Sequence, residues 1–307
     1  MNFDQLIEEA TQKKNKQTIA IAAATAPDIL EAVAKAIEVG LADFLLVGNK
    51  PEIESILKEI HPGLIENPGI EIIHIESDEE AAFFAVKSVR EKKAQVLMKG
   101  NLATSIILKA VLNKEIGLRS GKVLSHVAVF EIPNYKKWIL LTDAAMNIAP
   151  DLEQKAEIIR NAVSVANAIG INTPKVAPLA AVELVNPAMS ATIDAAVLTQ
   201  MNRRGQIANC IVDGPLALDN AISALAAKHK GVKGEIAGDA DILLVPAIEV
   251  GNVLYKSLVY FANAKVGAVL AGAAAPIVLT SRTDSAESKL YSLALAIESV
   301  SNIDDLG

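Results

Sequence analysis

From one end to the other, this sequence alternates short apolar runs with amphipathic stretches, joined by connections of only a few residues. That rhythm constrains the fold more than any other feature, because single helical crossovers between successive strands specify a mostly parallel, doubly wound sheet. Residues 18–24 read as a buried strand, and Pro27 opens a helix whose first turn holds Asp28 and Glu31. Residues 44–47 form a second strand, followed by Gly48-Asn49-Lys50-Pro51 and a helix to about residue 60. Residues 70–75 form a third, and Ser77 with Glu80 makes a capping box for a helix over 78–93. A strand at 95–98 then leads through Lys99-Gly100-Asn101 into another helix.

The rhythm breaks once. Two β-rich runs, 124–132 and 137–142, flank Pro133-Asn134-Tyr135-Lys136 with no room for a helix, and so predict an antiparallel hairpin. Alternation then resumes with helix 151–169, strand 175–181, helix 188–203, strand 207–212, helix 216–228 and strand 241–245. Helix 251–263, strands 266–271 and 276–280, and helix 285–300 complete it. At 307 residues the chain exceeds one small core. The break places a domain boundary in the hairpin: residues 1–137 with 272–307 make a first, discontinuous α/β domain, and 138–271 a second. Of the residues, 51% are hydrophobic, mostly Ala, Ile, Val and Leu, which suits strands covered on both faces by small-residue helices. No apolar run approaches the roughly 20 residues of a membrane span. The net charge of −7, with dispersed Lys and Arg, argues against nucleic acid as a partner. Residues 1–16 are polar and lack a signal-peptide core, and a lone cysteine excludes an internal disulfide, so a cytoplasmic location is expected.

Open α/β sheets bind ligands at the carboxyl ends of their strands, and five motifs fall there. Ser281-Arg282 follows the last strand and places a guanidinium fork where phosphate or carboxylate would bind. Met98-Lys99-Gly100-Asn101 offers backbone N–H groups and an ammonium to an anion, although an ordinary strand-to-helix turn explains it equally well. Lys109 and Arg119 add positive charge nearby in sequence. Thr142-Asp143-Ala144-Ala145-Met146-Asn147 ends the hairpin: Asp143 could accept a proton or orient a cation, Asn147 could donate to a carbonyl, and both residues are also common turn formers. Asp213-Gly214-Pro215 ends another strand and reads as a tight turn. In the run from Pro246 to Lys256, Gly251 and Asn252 open a helix, and Asn252 and Lys256, four apart, share one face. Cys210, in the 207–212 strand, reads as a small core residue rather than an acyl carrier. The His, Asp and Glu spacings suggest no metal site.

Taken in chain order, from Met98-Lys99-Gly100-Asn101 to Ser281-Arg282, the five motifs resemble the phosphotransacylase family along nearly the whole chain. The wording Lys-Gly-Asn-Leu-Ala-Thr-Ser and Ser-Arg-Thr-Asp-Ser-Ala-Glu-Ser-Lys-Leu-Tyr-Ser is closer to phosphate butyryltransferases than to phosphate acetyltransferases. The resemblance implies two domains similar to isocitrate and isopropylmalate dehydrogenases with a cleft between them, a homodimer, and metabolic coupling to an acyl kinase. It also implies the reversible reaction of acyl-CoA with phosphate to give acyl phosphate and CoA, with CoA as substrate and no permanently bound cofactor or metal. By motif position, Ser281 and Arg282 match the family's pair at the phosphate and thioester site. Carbonyl polarisation falls to Asn252, Lys256 or Lys99, and substrate contacts to Gly100, Asn101, Lys109, Asn147, Asp213, Gly214 and Gly251. Lys109 stands where acetyl-transferring relatives carry arginine. Ser288 stands where they carry an aspartate proposed to assist CoA thiol deprotonation; a base here would come from Glu287, Asp284 or Asp143. Asp284 and Glu287 also have the spacing of a capping box. Two other readings remain, a phosphate acetyltransferase and a non-catalytic acyl-CoA sensor. A decarboxylating dehydrogenase would need an aspartate cluster for metal, and the sequence offers none.

Overall fold

The Asn2 side chain accepts from the Gln5 N–H, and the Gln5 side chain accepts from the Asn2 N–H in return. This box starts a helix, α1 (Phe3–Thr11), that the polar composition of residues 1–16 does not announce; Phe3, Leu6 and Ala10 form its buried face. The computed structural model describes residues 2–120, 123–281 and 284–304, with side chains as far as 300. After α1 the expected alternation follows: β1 (Gln17–Ala22), α2 (Pro27–Glu38), β2 (Ala42–Gly48), α3 (Lys50–Ile60), β3 (Ile70–His74), α4 (Asp78–Arg90), β4 (Val96–Lys99) and α5 (Thr104–Val111). Next come the hairpin strands β5 (Ser125–Glu131) and β6 (Ile139–Thr142), then α6 (Leu152–Ala168), β7 (Lys175–Pro178), α7 (Ser190–Arg203) and β8 (Ile211–Val212). The single helix expected over 216–228 is two, α8 (Leu218–Ile222) and α9 (Ala224–His229), because Ser223 leaves helical geometry and its hydroxyl caps the Ala226 N–H. β9 (Ile242–Leu244), α10 (Ile248–Tyr260), β10 (Lys265–Ala271), β11 (Ile277–Val278) and α11 (Ala286–Asp304) complete the chain.

The chain divides into two compact units. An outer unit joins Asn2–Lys122 to Gly267–Gly307, and a central unit spans Val123–Val266. The first division lies ahead of the hairpin rather than inside its turn, because β5 and β6 pair from Ala128↔Leu141 to Phe130↔Ile139. The second lies ahead of the expected position at 271/272, because β10 pairs with β11 through Leu270↔Ile277.

In the outer unit the strand order is β3-β2-β1-β4-β11-β10, parallel except for β10 against β11. Consecutive residues Ile19, Ala20, Ile21 and Ala22 of β1 are all fully buried, as are Val96, Leu97 and Met98 of β4, so both faces of these strands are covered. α4 packs on β1 and β2, while α11 packs on α1 and α2. Alanines of α2 and α11 (Ala32, Ala36, Ala294, Ala296) are buried, as close helix packing requires. β3 is the edge strand, its exposed positions occupied by Glu71 and His74, charges and polarity that discourage further pairing. In the central unit the order is β5-β6-β9-β7-β8, parallel apart from the hairpin.

Candidate active site

In the outer unit, β4 and β11 are parallel neighbours in the register Met98↔Val278, which brings Lys99-Gly100-Asn101 and the segment beginning at Thr280-Ser281 to the same carboxyl edge. The strand-to-helix turn is held against the end of β1. The Gly100 N–H donates to the Ala22 carbonyl (2.8 Å) and the Asn101 N–H to the Ala23 carbonyl (2.7 Å). These N–H groups therefore do not form the anion cradle expected of them. A Cβ on residue 100 would lie 2.2 Å from the Ala23 carbonyl oxygen, so only glycine fits there. Lys99 is buried and its ammonium donates to the Gly100 and Leu102 carbonyls (3.1 and 3.0 Å), tying the turn together from within. Asn101 and Lys109 are exposed, and Lys109 forms no ion pair with a described residue.

Ser281 is exposed at this edge; Arg282, the guanidinium of the motif, lies outside the described residues. The Ser281 N–H donates to Asp284 Oδ2 (2.7 Å), and the Asp284 N–H donates to the Ser281 carbonyl (3.1 Å). The expected Asp284–Glu287 box is replaced by Ser285, whose hydroxyl caps the Ser288 N–H (3.1 Å). The reason is that the Asp284 carboxylate already closes the 281–284 turn. Glu287 is exposed and bonded to no described residue. Lys289, which the sequence reading did not single out, is fully buried, pairs with Asp28 at 2.9 Å and donates to the Asp284 carbonyl. Its signal was present in the sequence: it shares a helical face with Leu293 and Ala296, where a charge is out of place.

In the central unit, β6 and β9 are parallel neighbours (Thr142↔Leu244), and both sites that follow them meet at their ends. Asp143 is 2% exposed. Its Oδ1 accepts the Ala145 and Met146 N–H groups (2.9 and 3.0 Å), and its Oδ2 accepts the Asn147 N–H and side-chain amide (3.2 and 2.6 Å). With four donors on one carboxylate, the group builds the 143–147 loop rather than waiting for a proton. The Asn147 amide also donates to the Leu124 carbonyl (2.8 Å), so its donor capacity is taken up by the fold rather than by a ligand. Gly251 packs α10 onto this loop, since a Cβ there would stand 2.7 Å from the Asp143 carbonyl oxygen. On the same helix Asn252 is exposed, Lys256 is half-buried with its ammonium 5.2 Å from the Tyr255 ring centre, and Tyr255 stands edge-on to Phe130 at 5.3 Å.

Asp213-Gly214 follows β8, two strand positions from β9 and three, ~14 Å, from β6, whose end carries Asp143. The Gly214 N–H donates to Thr199 Oγ1 (3.1 Å). Burial pushes the Asp213 carboxyl above its ordinary value, against the pull of the Arg203 guanidinium, and a Cβ at Gly234 would lie 2.1 Å from its Oδ2. A carboxyl raised on folding favours the folded state at low pH and loses that contribution as pH rises past its ordinary range. Asp213→Asn is therefore expected to stabilise the protein at pH 7–8, the gain shrinking toward pH 4. Thermal midpoints across pH check this; a variant uniformly less stable would contradict it.

Cys210 precedes β8 rather than lying within a long strand, and its carbonyl accepts from the Asn202 amide (2.9 Å). Burial pushes the thiol up to about 11. The native thiol should therefore react with an aromatic disulfide at pH 8 far more slowly than after denaturation, because little thiolate exists. Equal rates in the two states would contradict that environment.

Within each unit some motif residues build turns (Lys99 and Gly100; Asp143, Asn147, Asp213, Gly214 and Gly251), while Asn101, Lys109, Asn252 and Ser281 are exposed and Lys256 is half-buried. Comparison with known proteins adds the chemical context. The chain is 56% identical to a probable phosphate butyryltransferase of Bacillus subtilis over 297 residues, 97% of each chain. It is 50% identical to the phosphate butyryltransferase of Clostridium acetobutylicum over 96% of its own length and 97% of that protein. Among solved structures, a branched-chain phosphotransacylase from Enterococcus faecalis matches with TM-score 0.81 and 40% identity, covering 92% of this chain and 99% of that one. Residues 75–297 match the family model described as phosphate acetyl/butaryl transferase, and with these near-full-length likenesses the chain belongs to that family.

Proposed function

We propose that this protein reversibly transfers a short-chain acyl group, butyryl or a branched C4–C5 relative, between CoA and inorganic phosphate. One observation carries the reading: in a chain of this family, every polar motif marked in the sequence lies at the carboxyl end of a strand, where an α/β sheet receives ligands. In the acyl-phosphate-forming direction, a phosphate oxygen attacks the thioester carbonyl, the C–S bond breaks, and CoA leaves as thiolate. Arg282 and Ser281 receive phosphate. Asn252, exposed on α10, and Lys256, half-buried one turn further along, polarise the carbonyl as its oxygen gains charge. Holding the two anionic reactants in line supplies roughly 7–11 kcal/mol of the barrier lowering. With Asp143 and Asp284 occupied by backbone donors, Glu287 is the carboxylate best placed by its exposure to exchange a proton with the CoA thiol. Nearby cations that lower the thiol pKa below about 8.5 would do the same without a dedicated base.

We further infer a cytoplasmic homodimer with no permanent cofactor, coupled to a kinase that uses the acyl phosphate. Among the described residues no helix is long and apolar enough to cross a membrane. Val250, Val253 and Tyr260 form an exposed apolar stripe on α10 that continues to Phe261, as a subunit contact requires. The deciding assay is phosphate-dependent release of CoA thiol from acetyl-, butyryl-, isobutyryl- and isovaleryl-CoA without added metal. Fastest turnover with the C4–C5 substrates supports the proposal, and an acetyl preference replaces it with a phosphate acetyltransferase. CoA binding without turnover makes the protein a sensor.

A further inference from the structure

We propose that the ion pair between half-exposed Asp28 and buried Lys289 is a positioning device for Ser281, an inference that rests on the role given above to Ser281 and Arg282. The described residues between the end of β11 at Val278 and the start of α11 at Ala286 (279–281, 284 and 285) belong to no strand or helix that would fix them. What holds them is a relay. Both backbone groups of Ser281 are bonded to Asp284, its N–H to the carboxylate (2.7 Å) and its carbonyl to the Asp284 N–H (3.1 Å). The Asp284 carbonyl in turn accepts from the Lys289 ammonium, and that ammonium pairs with Asp28 Oδ2 at 2.9 Å. Asp28 is in the first turn of α2, which leaves the end of the central strand β1. Ser281 is thus referenced to the middle of the sheet through side chains drawn from the two ends of the sequence.

The placement of Lys289 is hard to explain as simple stabilisation. Its side chain is 1% exposed, and taking an ammonium out of water is unfavourable unless it is paired and bonded. It also occupies the first turn of α11, where the helix dipole disfavours a cation. A methionine or leucine would fill the same position among Leu290 and Leu293 without either cost. What an apolar side chain would lack is a donor for the Asp284 carbonyl.

The test uses full-length Lys289→Met and Asp28→Asn, with Arg282→Ala as reference. Phosphate is varied at saturating butyryl-CoA, butyryl-CoA is varied at saturating phosphate, and hydrogen exchange is followed in peptides covering 279–285 and 290–300. For Lys289→Met we expect kcat/KM for phosphate to fall on the order of 10- to 100-fold, with the KM for butyryl-CoA little changed. Exchange should accelerate in 279–285 while 290–300 stays protected. Asp28→Asn should move the same quantities in the same direction by less. Unaltered phosphate kinetics in both variants, or loss of protection spread evenly through α11, overturns the inference. If Lys289→Met does not fold, Asp28→Asn decides alone, because Asp28 is 40% exposed and the asparagine oxygen still accepts from the Lys289 ammonium. Arg282→Ala impaired beside normal Asp28→Asn and Lys289→Met overturns only this inference; Arg282→Ala with normal phosphate kinetics overturns the parent reading as well.

Discussion

Replacing Arg282 by alanine is expected to lower kcat for acyl transfer by about 10²–10³, with no change in the thermal midpoint. The argument is electrostatic. A phosphate that attacks a thioester carries its charge into the transition state, and the planar guanidinium offers parallel donors to two of its oxygens while remaining charged at every working pH. Water readmitted in its place would hydrate the phosphate without orienting it. Arg282→Lys should recover part of the loss, since the charge returns but the fork does not. Steady-state kinetics with phosphate varied, beside a melting curve, distinguishes these cases. An alanine variant with native turnover would remove Arg282 from the mechanism.

The second large effect is structural. Gly100→Ala is expected to destabilise the outer unit by about 3 kcal/mol, because its new Cβ would meet only backbone atoms. The Ala23 oxygen would stand at 2.2 Å, the Ala22 oxygen at 2.6 Å and the Ala23 carbonyl carbon at 2.7 Å. None can yield as a side chain does: the two carbonyls are held by the Gly100 and Asn101 N–H groups, and Ala23 already has φ near 56°. Relief requires pulling the β4 turn off the end of β1, which also moves Lys99 and Asn101. A midpoint lowered by roughly 6–12 °C, read by circular dichroism, is the expected result. An unshifted midpoint would mean that the turn has slack these distances do not show.

The contrast between what the sequence announces and what it conceals follows from range. Strands, helices and the hairpin between β5 and β6 are encoded by neighbours along the chain, through periodicity, proline and short turns, and these were legible. So was the position of each polar motif at a strand end. Motif function was harder to read. Lys99-Gly100-Asn101 looks like an anion site until β1 is laid beside it and takes the two N–H groups. Asp143 looks like a base until the loop after it folds back and delivers four donors. The break at Ser223 is small because one hydroxyl decides it. Lys289 could be flagged by its apolar surroundings, but its partner Asp28 lies near the other end of the chain and no local rule connects them.

The two-piece construction of the outer unit also sets an order of events during synthesis. Residues 123–266 can close among themselves as soon as they have all left the ribosome, because β5, β6, β9, β7 and β8, which pair with one another in that order, all lie within that stretch. The earlier half of the outer unit cannot finish. Until β11 arrives, β4 is an unpaired edge of buried apolar residues, and until α11 arrives, α2 lacks the helix that packs on it. Such an edge is a template for pairing with other chains. Strands β1 to β4, made before the central unit, are therefore completed after it, and a truncation that removes only β11 and α11 exposes the edge of β4 while leaving the central unit whole.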